Sequence, residues 1–255
     1  MRAAAGAAGC RIVSARPIGE GTDPSASAVP GAMILIELAE EGSADAALPL
    51  LDWVRGEAEA GARRSVIAAP VGMIDLVAAR AWHAGIVQLS QPDEDERHAA
   101  IVRAGERPEA RLHDSRRERD FPVLQPVPDA GTAPPGPDLT RADAARIRRM
   151  IRARRLRTHF FRADLFADPA WDMLLDLLAA RLEGKQVAVS SLCIAAAVPP
   201  TTALRWLGVL TEHGLVVRVA DRDDRRRVHV ELGEATARAL GTWLRQTQAL
   251  EVETA

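Results

Sequence analysis

The hydrophobic pattern of the chain changes its period along the sequence. In the first hundred residues, strand-like apolar runs at 11–15, 32–38, 65–69 and 85–89 alternate with helix-like stretches at 46–60 and 73–83. Runs that are apolar on both faces, such as Met33-Ile34-Leu35-Ile36, are typical of parallel sheets covered by helices on two sides. The pattern predicts a small doubly wound α/β domain over residues 1–105.

A proline-rich segment follows this domain. Seven prolines lie between residues 107 and 137, and charges crowd into 111–120. Proline lacks a backbone donor and biases the preceding residue toward extended conformations. Residues 106–139 are therefore predicted to be a semi-stiff linker.

From residue 140 the period is helical. A basic stretch covers 140–161, and Asp168-Pro169 supplies an N-cap and an N1 proline for a helix that runs to about Leu182 and ends at Gly184. A short helix is predicted at 191–197, followed by a turn at Val198-Pro199 and a longer helix at 200–213. Gly214 is placed to cap that helix in the left-handed conformation. The prediction is a helix, a tight turn and a second helix.

After Gly214 the period changes to two, in 215–219 and again in 228–232. This alternation predicts a hairpin. Its loop, 220–227, carries four arginines and is too charged to be buried. A last helix is expected at 234–249, which makes 140–255 a mainly α domain with a hairpin beside its paired helices.

The net charge of −2 conceals two halves of opposite sign. Residues 140–255 hold 19 Lys+Arg and 14 Asp+Glu, a charge of +5, and the remaining 14 basic and 21 acidic residues give −7 to residues 1–139. A basic half beside an acidic one suggests that only one part meets a polyanion. No apolar run approaches the ~20 residues that cross a bilayer, so we expect a cytoplasmic protein without membrane partners.

The residues that carry common enzyme chemistry show no motif. Cys10 and Cys193 are far apart and outside any Cys-x-x-Cys spacing, so neither a disulfide framework nor a metal site is expected. The histidines have no recognisable nucleophile or carboxylate partner motif; they are His83, His98, His113, His159, His213 and His229. We therefore expect no catalytic residues and no cofactor.

The paired helices and the arginine-rich loop together predict contact with double-stranded DNA. If Ala203, Trp206, Leu207 and Leu210 form the apolar face of the second helix, its N-terminal polar residues point outward, where groove contacts are made. The predicted DNA-binding residues are Ser190, Ser191, Pro200, Thr201, Thr202 and Arg205 on the helices, and Arg222, Arg225, Arg226 and Arg227 on the loop. Ser190 and Ser191 are equally suited to plain N-capping. Asp224 is expected to structure the loop by pairing with an arginine, with Arg226 as the candidate.

These residues resemble the MarR-type winged helix-turn-helix regulators over roughly 165–250. The resemblance rests on Thr201-Thr202-Ala203-Leu204-Arg205, Leu210, Gly214-Leu215-Val216, Arg218 and Asp224-Arg225-Arg226, closing on Leu232. It implies a homodimer on a pseudo-palindromic site, with 220–227 as the wing and with 142–161 and 234–249 as dimer elements. The chain departs from the pattern at Pro199-Pro200, at Leu204 and at Gly233, which stands where threonine is common.

The basic helix before this region allows two interpretations. Its arginines either form a solvated face around a stripe of Ile147, Met150, Ile151 and Leu156, or add phosphate contacts. Trp171 and Trp206 have apolar neighbours and are expected in the core.

The N-terminal runs resemble a response-regulator receiver domain over about 10–104. In that comparison 32–38, 65–69 and 85–89 are the third to fifth strands, and Ile12-Val13 lies in the first. Glu37 stands where the phosphorylated aspartate would be and Gln91 where the lysine would be, so phosphorylation at this site is not expected. A generic α/β domain is the alternative. Both interpretations of the domain suggest a protein-interaction or dimerisation module. Glu37 either imitates a phosphorylated state or is an ordinary surface residue.

Two functions remain open from the sequence. The first is a dimeric transcription regulator that reads DNA through 200–213 and the wing. The second is a protein-interaction regulator whose winged helix docks a protein partner and does not read DNA.

Overall fold

The computed structural model describes residues 1–15, 23–27, 29–39, 44–105, 139–221, 224 and 227–253. The chain divides into two compact units, one of Met1–Pro122 with Asp221–Val228 and the other of Val123–Ala220 with His229–Ala255. The first holds an α/β arrangement and the second is mainly helical. The predicted linker at 106–139 lies almost wholly outside the described residues.

The helices and strands of the described residues are numbered in chain order. The helices are α1 Arg2–Ala7, α2 Ala44–Glu59, α3 Ile74–Arg80, α4 Glu94–Gly105, α5 Arg141–Leu156, α6 Pro169–Glu183, α7 Val189–Ala195, α8 Pro200–Glu212 and α9 Glu234–Glu253. The strands are β1 Ile34–Glu37, β2 Ser65–Ala69, β3 Ile86–Ser90, β4 Val187–Ala188, β5 Val216–Ala220 and β6 Val228–Leu232.

The first unit is built on a parallel sheet in the order β1-β2-β3. Ile36 pairs with Ile67 across the first ladder, and Ala68 pairs with Leu89 across the second. Every residue of β2 is buried, as its central position requires. These three strands confirm the predicted α/β character of the N-terminal part.

Helices cover both faces of this sheet. On one face, Ile36 and Ile67 pack with α2 and α3 around Leu51 and Val54. On the other, Val66 and Leu89 belong to a second cluster that includes residues of α1 and α4. Because successive strand residues point to opposite faces, the continuous apolar runs supply both clusters.

The prediction of a strand at 11–15 is wrong. These residues are exposed and belong to no strand, with Ile12 40% and Val13 51% exposed. The preceding α1 instead packs on the sheet through Ala4 and Ala5. Two apolar residues beside Arg11 and Ser14 are too few to form a strand that is buried on both faces.

The second unit opens with two packed helices, α5 and α6. Asp168 caps α6, accepting a hydrogen bond from the Trp171 amide at 3.2 Å, and Pro169 follows at the first helical position. Gly184 ends the helix at a φ of 70°. Trp171 meets Trp243 of α9 edge to face at 4.7 Å and is half-buried. The predicted start and end of α6 are confirmed to within one residue.

A small sheet and a final helix follow, and Asp221–Val228 of the hairpin groups with the first unit. β6 lies between β4 and β5. Hydrogen bonds from the Asp221 amide to the Arg227 carbonyl and from the Gly233 amide to the Leu215 carbonyl bracket β5 and β6, which makes them an antiparallel hairpin. α9 then buries Leu240 and Leu244. The two-residue strand β4 was not predicted, since so short a run has no detectable period.

Candidate nucleic-acid interface

The two helices α7 and α8 form a sharply bent pair. Their axes differ by 107° across the turn 196–199. Ala197 within this turn has a φ of 55°, the left-handed region that favours glycine. Helix-turn-helix pairs cross at about 90–120° over a turn of 3–4 residues, so this local geometry matches that arrangement.

The outward face of α8 carries polar residues near its N-terminus. Arg205 is exposed and Thr202 is half-buried, and residues three apart on a helix share a face. Thr201 was predicted on this face, but it is only 8% exposed and does not face outward. Thr202 and Arg205 are therefore the base-facing candidates that remain.

The buried face of α8 differs in one position from the prediction. Ala203, Leu207 and Leu210 are fully enclosed as expected, whereas Trp206 is only half-buried. Leu204 takes its place in the core at 5% exposure. Leu204 is thus a packing residue of this helix.

The other predicted helix residues lie around the start of α7 and α8. Ser190 and Ser191 occupy the second and third positions of α7, with Ser191 exposed. They do not cap it, because the N-cap is Ala188 and no side chain accepts a capping bond there. Pro200 is the first residue of α8 and is half-buried. Proline is favoured at that position because its missing amide would have no helical partner.

The hairpin loop is shaped by its aspartates. The Asp221 carboxylate accepts a hydrogen bond from the Asp224 amide at 3.0 Å, and the Arg227 amide donates to the Asp224 carbonyl at 2.9 Å. The Asp224 carboxylate lies 3.5 Å from Nε of Arg227, whose side chain is 67% exposed. Asp224 therefore has an arginine neighbour in this loop. Arg222, Arg225 and the candidate partner Arg226 lie outside the described residues.

Gly233 closes the hairpin where no side chain fits. A Cβ built there would stand 2.5 Å from the Gly214 carbonyl oxygen, well inside contact distance. The Gly233 amide also donates to the Leu215 carbonyl at 3.0 Å. Any side chain at this position would clash, so the hairpin approaches the end of α8 more closely than a side chain permits.

Arginines of α5 are divided between structure and surface. Arg148 pairs with Asp176 and Glu183 of α6, and Arg154 donates from Nε to Asp172 at 2.8 Å. Four others on this helix are exposed; they are Arg141, Arg149, Arg152 and Arg155. The predicted apolar stripe is correct for Ile147 and Ile151 and wrong for Leu156, which is 54% exposed at the end of the helix. The exposed arginines fit the interpretation of a solvated face, and the ion-paired ones fit neither interpretation. Added phosphate contact by this helix stays a prediction.

The Arg155 guanidinium connects α5 to the helix pair. It donates to the Ala195 carbonyl at 3.1 Å, at the C-terminal end of α7. Carbonyls at a helix end lack helical donors, and the helix dipole favours a cation there. The sequence gives no sign of this contact, because it joins residues 40 positions apart.

The pKa values of two charged side chains in this region are shifted. Hydrogen bonds from Arg148 and then Lys185 lower the pKa of Glu183 from 4.5 to about 2. Burial lowers the pKa of the Arg218 guanidinium on β5. Arg218 is held partly out of water, unlike the exposed Arg227 on the same hairpin.

In the first unit, Glu37 lies at the C-terminal end of β1 and its side chain is 50% exposed. Its carboxylate is 2.9 Å from the Arg97 guanidinium. Gln91, at the end of β3, is exposed with a φ of 47°. The two residues compared with receiver positions are thus both at the carboxyl edge of the sheet, and the carboxylate is ion-paired.

No single helix among the described residues is long and apolar enough to cross a bilayer. The bent pair α7 and α8 has the required length and apolar composition only when the two helices are counted together. Within the same residues, no three His, Cys, Asp or Glu side chains are grouped as metal ligands.

A comparison of the sequence with protein-family models gives no match, and a search of curated proteins finds no relative.

Proposed function

We propose that this chain is a DNA-binding transcriptional regulator in which residues 140–255 form a MarR-like winged helix-turn-helix domain. The observation that carries the proposal is the pair α7 and α8, which differ by 107° in direction and expose Arg205 on the second helix. A hairpin follows that helix directly and exposes Arg227 in its loop. Helix-turn-helix proteins place the second helix of such a pair in the major groove.

In this proposal α8 reads bases and the hairpin loop tracks the backbone. Arg205 makes a bidentate contact with guanine, and Thr202, one turn before it, contacts a base or a phosphate. Arg227 and the other loop arginines neutralise phosphates or enter a narrow minor groove. Thr201 supports the helix from within and makes no base contact.

Homodimerisation is part of the proposal. The segment after α5 exposes large apolar side chains, with Phe160 78%, Leu165 65% and Phe161 56% exposed. Clustered exposed apolar residues mark protein interaction surfaces. Two copies joined through α5 and α9 would present two recognition helices to a pseudo-palindromic site.

The N-terminal unit acts in this proposal as a receiver-like module for a protein partner, without phosphotransfer. Glu37 occupies the sheet edge where an acceptor aspartate would lie, and it is already ion-paired with Arg97. Its side chain is one methylene longer than that of aspartate, so its carboxylate does not take the same position. We propose a cytoplasmic protein without cofactor or catalytic activity.

The proposal is tested by selecting duplexes from a random library with the purified full chain. A recurrent motif with two-fold symmetry is expected. The double variant Thr202→Ala, Arg205→Ala is expected to lose the motif, whereas Arg11→Ala, which removes an exposed arginine of the first unit, should retain it. Recovery of no motif, or of the same motif by the double variant, rejects sequence-specific recognition by α8.

The second candidate is a protein-interaction regulator whose winged helix docks a protein partner. Burial of Thr201 and exposure of Pro199 reduce the polar surface at the start of α8 and favour this alternative. It predicts weak, salt-sensitive DNA binding without base preference. Salt titration of the best selected duplex against a scrambled one separates the two functions.

A further inference from the structure

A small arginine-rich cavity lies in the second unit, apart from the outward face of α8. It has a volume of about 40 Å³ and lies between the end of α5, the segment that follows it and the turn after α7. Its charged lining is Arg154, Arg155, Arg157, Arg162 and Asp172. Four guanidinium groups against one carboxylate give the wall a surplus of positive charge.

The acidic neighbours neutralise only part of this charge. Arg154 is bound by Asp172 at 2.8 Å, and Asp168 lies 3.6 Å from it. Arg155 donates to the Ala195 carbonyl and Arg157 donates to the Arg154 carbonyl. Within the described part of the chain, neither Arg155 nor Arg157 has a carboxylate partner. Both charges therefore remain uncompensated beside the cavity.

The same two arginines are held in place before any ligand arrives. Arg157 is fixed by a 2.9 Å bond from its Nε and by the Phe166 ring, whose centroid is 5.6 Å from the guanidinium carbon. Arg155 is fixed by its 3.1 Å bond to Ala195. A guanidinium has five N–H donors, so one such bond orients the group and leaves donors for a ligand. Donors oriented in advance reduce the entropy lost on binding.

We infer that this cavity is a binding site for a tetrahedral oxyanion of the phosphate class. Arginine suits such a ligand because its planar fork forms paired, charge-assisted hydrogen bonds with phosphate oxygens. The volume of about 40 Å³ has room for a small group such as a phosphate. The ligand is either free inorganic phosphate or a backbone phosphate of bound DNA.

An anion in this cavity would affect the turn between α7 and α8. Ala196 and Ala197, which line it, lie in the turn between α7 and α8. An anion held by Arg155 would join the end of α5 to this turn and restrict the orientation of α8. The inference does not depend on the proposed function, because phosphate binding can be measured without DNA.

The test is calorimetric titration of the full chain with inorganic phosphate, at an ionic strength held constant with chloride. We expect saturable binding with a Kd of about 1 mM or tighter. The variant Arg155→Gln, Arg157→Gln should bind at least about tenfold more weakly, since it loses two charge-assisted donors. The matched control is Arg152→Gln, which removes an exposed α5 arginine outside the cavity and should bind as the parent does.

The fold of each variant is checked by far-ultraviolet circular dichroism, and Arg155→Lys separates charge from geometry. It keeps the positive charge but lacks the fork, so binding between that of the parent and that of Arg155→Gln is expected. Equal loss in the Arg152→Gln control would overturn the inference, because the effect would then be one of net charge.

A DNA titration distinguishes the two sources of the anion. If the ligand is a backbone phosphate, the double variant weakens binding to all sequences alike, and the salt slope falls by about 1 for each DNA phosphate that the variant no longer neutralises. If the ligand is free phosphate, the salt slope for DNA is unchanged while the calorimetric signal disappears. Absence of phosphate binding by the parent, together with an unchanged DNA salt slope in the double variant, overturns the inference.

Discussion

Adding one methyl group at Gly233 is expected to destabilise the second unit. The Cβ of Gly233→Ala would stand 2.5 Å from the Gly214 carbonyl oxygen, about 0.9 Å inside ordinary contact. The obstacle is backbone at the end of α8 and cannot rotate away. Either the hairpin or the helix end must move, and the movement strains the 3.0 Å bond from the Gly233 amide to the Leu215 carbonyl.

The expected loss follows from these two effects. Overpacking by one carbon costs about 1–3 kcal/mol, and a weakened backbone hydrogen bond adds about 0.5–1.5 kcal/mol. We expect Gly233→Ala to lower the free energy of unfolding by about 2–4 kcal/mol. The matched control is Gly208→Ala in the interior of α8, where nothing lies within 4 Å of the new Cβ. That change should raise the free energy of unfolding by about 0.5–1 kcal/mol.

Both variants replace glycine by alanine, so both reduce the entropy of the unfolded chain. The difference between their two changes in unfolding free energy therefore reports effects in the folded protein, namely the clash at Gly233 and the better helix propensity at Gly208. Urea unfolding of the full chain, followed by far-ultraviolet circular dichroism, measures both changes. A Gly233→Ala protein as stable as the parent would refute the close approach, and a destabilised Gly208→Ala protein would refute the open space beside α8.

Four residues provide three further predictions. Ala197→Gly should stabilise the unit by about 0.5–1 kcal/mol in urea unfolding, because glycine adopts a φ of 55° without strain; a loss of stability would contradict that turn conformation. Asp168→Ala should lower the free energy of unfolding by about 1 kcal/mol in thermal unfolding, because the Trp171 amide loses its capping acceptor. Asp168→Asn keeps an acceptor and should retain most of that free energy. The pKa of Glu183 is lowered from 4.5 to about 2, so its stabilisation is complete above about pH 4.5 and is lost as the pH falls toward 2. Arg148→Met should lower the free energy of unfolding at pH 7 and make it fall less between pH 4.5 and 2. If the free energy of unfolding of the variant fell as steeply with pH as that of the parent, Arg148 would not be the cause of the lowered Glu183 pKa.

Several features of the fold were predictable because local chemistry determines them. The α6 boundaries follow from the Asp168 cap and from Gly184, which alone among nearby residues takes a φ of 70° without strain. The strand β2 matches its predicted range because Ser65–Ala69 is buried throughout and bounded by polar or turn residues. Gly214 follows the C-terminal end of α8 and has the left-handed conformation that was predicted for it, with a φ of 67°.

Other features depend on contacts that the sequence does not display. α1 is alanine-rich and has too weak an apolar stripe to be recognised, yet it buries Ala4 and Ala5 against the sheet. α4 was also missed, although its first turn has a detectable signal. Asp93 accepts from the Glu96 amide at 2.8 Å, and Glu96 accepts from the Asp93 amide at 3.3 Å, which is a capping box.

In the candidate interface, too, some features follow from the local sequence and others depend on long-range contacts. The turn between the two helices and the exposure of Arg205 follow from the apolar period of α8. Thr201 was assigned to the outward face because threonine is polar, whereas the packing of the unit covers it. The arginine cavity depends on contacts between residues up to 40 positions apart, and the sequence shows those arginines only as a basic run.

DNA reading by α8 is tested most directly by measuring how Arg205→Ala changes the affinity for the selected duplex and for a scrambled duplex of equal length, at one salt concentration. Fluorescence anisotropy with the full chain gives both affinities. If Arg205 reads a base as proposed, the variant loses about 1–3 kcal/mol of binding free energy on the selected duplex and almost none on the scrambled one. Equal losses on both duplexes, or no loss on either, would contradict DNA reading by α8.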